Sequence, residues 1–97
     1  MEIKEYKIRP GIVLASVCGE NILVATRTAR DYCPYIRQIN STAAYFWSLL
    51  EQGMDMETME KTAASRYKVE REKIRPGLYQ FLNSLVTYGY LYREERV

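Results

Sequence analysis

The hydrophobic pattern changes period once, at Asn40, and this switch constrains the fold more than any other feature of the 97 residues. Before it, short runs of β-branched and small apolar residues are separated by turn residues. After it, apolar residues recur every three or four positions. The chain is therefore extended first and helical second, the pattern of an α+β domain.

Residues 12–18 (IVLASVC) and 22–26 (ILVAT) read as two strands, with Gly19-Glu20-Asn21 as the turn of a hairpin. Both parities of the first strand are apolar: Ile12 and Leu14 on one face, Val13 and Val17 on the other. Such a sheet is covered on much of both faces, or one face is a binding surface. The polar stretch 27–34 ends at Pro34 and reads as a loop, and 35–39 (YIRQI) as a third strand.

Asn40 or Ser41 caps a first helix over about 41–52, which stops at Gly53. Its apolar side holds Ala43, Phe46, Trp47 and Leu50. Asp55 caps a second helix over about 56–66, with Met56, Met59 and Ala63 on one face. A third helix over about 71–88 ends at Gly89, and Pro76-Gly77 predicts an irregular first turn or a kink in it. A short extended piece, 90–93, follows. Three antiparallel strands then three helices describe a winged-helix-like α+β domain, one domain over 1–97.

The absence of histidine removes His-based acid–base chemistry, Ser-His and Cys-His nucleophile pairs, and the commonest transition-metal ligand. No catalytic residue, metal site or cofactor is expected. Cys18 and Cys33 are too few for a disulfide scaffold. Cys33, beside Arg30 in a loop, has the cation that favours a thiolate but no visible base, and reads as incidental. A net charge of +2 with interleaved signs is not the footprint of a strong nucleic-acid binder. No apolar run reaches membrane-spanning length, and the charged N-terminus has no signal-peptide apolar region, so a cytoplasmic location is expected.

Trp47 and Phe46 read as core anchors, and Met56 and Met59 as core at helical spacing. The third helix is the most informative element. On a wheel of 100° per residue, Phe81, Leu85, Leu78 and Leu82 fall between about −20° and +80° of Ile74, and Val86 and Tyr79 widen the sector to about +140°. One edge of so wide a sector can face the core while the other lines a groove whose opposite wall is the third strand. A helix buried on two sides fits the pattern equally well.

Ile39-Asn40-Ser41-Thr42-Ala43-Ala44, followed by Phe46-Trp47, Leu49-Leu50 and Gly53, resembles the LN-x-T-A-x-x-x-W-x-L-L-x-x-G signature of the PqqD family. Met56-Glu57-Thr58-Met59 is similar to that family's T-x-E-E-I helix start. Tyr67-Lys68-Val69, then Phe81-Leu82, Leu85 and Gly89-Tyr90-Leu91, resembles its closing pattern. The likeness spans about 12–92. It implies a non-catalytic recognition element that binds the leader segment of a ribosomally made precursor peptide and presents it to a modifying enzyme, in PqqD's case a radical SAM enzyme. It further implies that the leader adds as a strand beside Tyr35, Ile36, Arg37, Gln38 and Ile39. The helix wall of the groove is then the Arg75, Tyr79, Leu82 and Val86 edge. Arg37 departs from the family, which usually carries an apolar residue near that position. The expected partners are the peptide and its enzyme, with no nucleic acid and no membrane, and the expected state is a monomer or weak dimer. The alternative is a winged-helix DNA-binding regulator. It needs a basic recognition helix, whereas the third helix is strongly apolar and the second mixed in charge.

Overall fold

A computed structural model describes residues 3–31 and 36–96. In chain order its elements are β1 (Ile3–Ile8), β2 (Ile12–Val17), β3 (Glu20–Ala25), a 3-10 turn (Arg27–Asp31), β4 (Ile36–Ile39), α1 (Ser41–Glu51), α2 (Met56–Tyr67), α3 (Arg71–Tyr88) and β5 (Leu91–Arg96). Asn40 is where extended backbone becomes helix. It is still extended (φ −79°, ψ 174°), and its Oδ1 accepts from the Ala43 N–H at 2.8 Å, satisfying one of the unpaired donors of the first turn of α1. Asp55 does the same for α2 through the Thr58 N–H at 2.8 Å. The Thr58 N–H, with a further hydrogen bond from the Thr58 side chain, holds the Asp55 carboxyl below the usual range.

Two antiparallel sheets form. One is β2-β3-β4 with β3 central; the other is a β1–β5 ribbon paired from Ile3↔Arg96 to Ile8↔Leu91. The first matches the three-stranded sheet expected from the sequence. The ribbon was not expected beyond a short extended piece after the last helix. Its N-terminal strand, IKEYKI, has too little apolar content to stand out locally, and it is held by a partner at the far end of the chain.

The hairpin turn is Cys18-Gly19, shorter than the predicted Gly19-Glu20-Asn21. Both residues have positive φ (52° and 79°), which a two-residue turn needs to match the twist of the strands. Helix α3 runs unbroken from Arg71 through Pro76-Gly77, without the irregular first turn the sequence suggested. Proline removes one N–H, the partner of the Glu72 carbonyl one turn back, and Glu72 is exposed, so water can replace that bond. Cys33, Pro34 and Tyr35 lie outside the described residues.

One core joins the layers. Leu23 and Ala25 enter it from β3, Phe46, Trp47 and Leu50 from α1, Met59 and Ala63 from α2, and Ile74, Leu78, Leu82 and Leu85 from α3. Tyr90 and Leu91 close it below the ribbon. Trp47 is fully buried, as its spacing predicted. Glu60 is buried between α2 and α3, where its Oε1 accepts from Arg71 Nη2 at 3.1 Å and Arg75 Nη2 at 3.0 Å. Burial pushes the Glu60 carboxyl up, but the bonds and charges of Arg75 and Arg71 outweigh it and hold the group below its ordinary value.

Candidate functional site

The Cys18-Gly19 turn determines which backbone groups of the sheet are free. A two-residue turn makes its flanking pair, Val17 and Glu20, exchange both backbone bonds. Alternation then assigns Ile22 and Val24 to bonds with β2, and Asn21 and Leu23 to bonds with β4. Since Asn21 faces Ile39 and Leu23 faces Arg37, those two residues of β4 turn their N–H and C=O toward β3. Ile36 and Gln38 turn theirs outward, off the open edge. Their side chains are exposed, whereas Arg37 and Ile39 are partly buried on the opposite face.

β2 also ends a sheet, but the edge residues that border a trough belong to β4. The trough, about 610 Å³, lies between β4, the start of α1 and one face of α3. Ala43 and Phe46 of α1 and Ile74, Gly77 and Phe81 of α3 form its apolar bed. Gln80 and Ser84 supply hydroxyl and amide groups along the same helix face, and Asn40 and Thr42 do so at the start of α1. Lys73, Gly77, Gln80, Phe81, Ser84 and Tyr88 all fall within about 60° of Gly77 on the helix, a continuous stripe. The volume is that of a site holding several side chains of a ligand.

Gly77 has an ordinary helical backbone, and a Cβ built there would meet nothing within 4 Å. Neither its conformation nor its packing requires glycine. Its effect is to lower the floor of the trough midway along α3. At one end Arg37 lays its guanidinium over the Tyr88 ring, 3.9 Å from the centroid, tying β4 to the last turn of α3. The charged residues lining the trough are Arg37 and Lys73, both cationic.

Of the strand residues expected to meet a peptide, Ile36, Arg37, Gln38 and Ile39 form the edge strand β4 and Arg37 lines the trough, while Tyr35 lies outside the described residues. The four helix residues expected there do not line this trough. Arg75, Tyr79, Leu82 and Val86 sit about 140° or more around α3 from Gly77. Arg75 is turned to Glu60 of α2, Leu82 is fully buried in the core, Val86 packs partly buried against it, and Tyr79 is not among the residues lining the trough. The physical reason is the unexpected ribbon. The Tyr6 hydroxyl donates to Asn83 Oδ1 at 3.1 Å and β5 packs along α3, so on that side Leu82 and Val86 are taken into the core while Tyr79 stays exposed. The helix residues that do line the trough, Gly77, Gln80, Phe81 and Ser84, carry one signal in the sequence: small residues seven positions apart on a helix, Gly77 and Ser84.

Among the described residues no group of three or more acidic or cysteine side chains is placed to hold a metal ion, and no helix is long and apolar enough to cross a membrane. The chemistry of the site is that of a half-open sheet edge above an apolar, cationic trough.

The family model described as coenzyme PQQ synthesis protein D (PqqD) matches residues 22–91. Two solved structures share the fold. One is "TbiB1 in Complex with the TbiA(beta) Leader Peptide": 26% sequence identity, TM-score 0.72, covering 88% of this chain and 93% of that one. The other is "Lasso peptide synthetase B1 complexed with the leader peptide": 25% identity, TM-score 0.73, covering 91% and 98%. No curated protein matches this chain by sequence.

Proposed function

The chain belongs to the PqqD family, and from that premise we propose that it is a non-catalytic adaptor that binds the leader segment of a precursor peptide by adding it to β4. The observation that carries this reading is the free edge of β4, open at Ile36 and Gln38, on a strand whose Arg37 lines the trough. An extended peptide satisfies the outward N–H and C=O groups of both residues, which gives affinity with little sequence choice. Its alternate side chains drop toward Gly77 and Phe81, which gives selection. Both solved relatives described above are titled as complexes with leader peptides, in support of the same mode.

The bound peptide is handed to a modifying enzyme in the cytoplasm. Membership of the PqqD family supports an enzyme of the radical SAM class. The likeness to a lasso peptide synthetase component supports a second reading, in which the peptide is matured toward a lasso product.

Titration of ¹⁵N-labelled protein with the leader segment of its precursor peptide tests the binding mode. The expected result is amide shifts at Ile36 to Ile39 and along Gly77 to Ser84. Shifts confined to α2 and the Cys18-Gly19 turn refute it.

A further inference from the structure

Resting on the adaptor reading, we propose that Arg37 is a specificity-determining residue of the trough: it selects a peptide with an aspartate or glutamate opposite it, two residues after a bulky apolar side chain.

Arg37 is partly buried, and it has no carboxylate partner among the described residues. Arg71 and Arg75 both share Glu60. Stacking on the Tyr88 face restrains the Arg37 guanidinium but uses none of its N–H groups, which lie in the plane of the fork and stay available. A planar cation held in this way is pre-organised for bidentate pairing with a carboxylate. Lys73 is the other charged residue lining the trough, and no acidic residue lines it, so the local field favours an anionic occupant.

The register places the partner. Arg37 makes its own backbone bonds to β3, so a residue added opposite it on the outer side forms a non-hydrogen-bonded pair. In such pairs side chains approach most closely, and here both point to the helix face. On an antiparallel strand, the residue two positions earlier lies opposite Ile39. Its side chain points to the same face as that of Ile39, which is apolar and packs partly buried against the core, so an apolar residue there meets an apolar neighbour. The pattern selected is therefore apolar, any residue, acidic, read from N to C.

A displayed library of random twelve-residue peptides, selected against the full chain and against Arg37→Glu, tests the assignment. With the native protein, enriched peptides should carry Asp or Glu two positions after Leu, Ile, Phe, Tyr or Trp. With Arg37→Glu, Lys or Arg should replace the acid at that position. A synthetic peptide of the enriched sequence should bind about tenfold more weakly when its acid is changed to the amide. Arg37→Gln, checked for an unchanged melting curve, should erase that difference. Enriched peptides with no acid at the position, or the same peptides from both selections, overturn the role of Arg37 and leave the adaptor reading intact. Failure to enrich any peptide that Gln38→Pro disrupts overturns the adaptor reading, and this assignment with it.

Discussion

Replacing Gly77 by alanine should make the protein more stable. Gly77 lies in the interior of α3, seventh of its 18 residues, with a helical backbone conformation. Glycine there costs about 1 kcal/mol relative to alanine, because the unfolded chain loses more conformational freedom on ordering. No steric penalty offsets the gain, since the new Cβ finds no heavy atom within 4 Å, and no packing gain adds to it for the same reason. The net expectation is about 0.5–1 kcal/mol of added stability, or a rise in Tm of roughly 3–6 °C for a chain of this size. Urea unfolding followed by circular dichroism measures it, and the midpoint should rise with the slope unchanged. An alanine variant no more stable than the native protein would refute the reasoning, for it would mean that the Cβ meets an obstacle or that the helix is interrupted there. The same position carries a functional contrast: Gly77→Leu should leave the fold intact yet fill the trough and weaken peptide binding.

Glu60→Gln should cost about 2–3 kcal/mol near neutral pH, less than a fully buried ion pair because both arginines keep contact with water. The Glu60 carboxyl is held below its ordinary 4.5, so the stability it contributes is present above that pH and fades as pH falls through the lowered value. Unfolding at stepped pH should show the native protein and Glu60→Gln converging below about 4.5; a gap independent of pH would contradict the role of the charge. Gln38→Pro removes an N–H that points off the open edge and should abolish peptide binding while leaving the melting temperature nearly unchanged. Arg37→Pro breaks a bond to β3 and should lower the melting temperature; a lower melting temperature for Gln38→Pro than for Arg37→Pro would show the edge assignment to be inverted. Trp47→Ala should cost about 3–5 kcal/mol, measured by chemical denaturation, and a loss under about 1 would place the ring outside the core.

The sequence by itself determined the elements whose causes are local. The caps at Asn40 and Asp55, the stop at Gly53 and the apolar period of three helices involve residues within a turn or two of each other, so their spacing reads directly. The same is true of the burial of Trp47, whose size and neighbours leave no other place for it. The edge strand was also legible, from its shortness and position before α1, and the ordered motif around Asn40 and Trp47 carried the family. What only the tertiary structure decided is which side of α3 is open. The wide apolar sector from Ile74 to Tyr79 could serve either two cores or one core and a groove. The choice was made by the ribbon of β1 and β5, strands from opposite ends of the chain, which packs against α3 through β5 and through the Tyr6–Asn83 bond. Pairing across that separation covers the Leu82 and Val86 edge and leaves the Gly77 face beside β4. No periodicity within α3 records it, because the deciding contacts depend on which distant strand arrives to cover the helix.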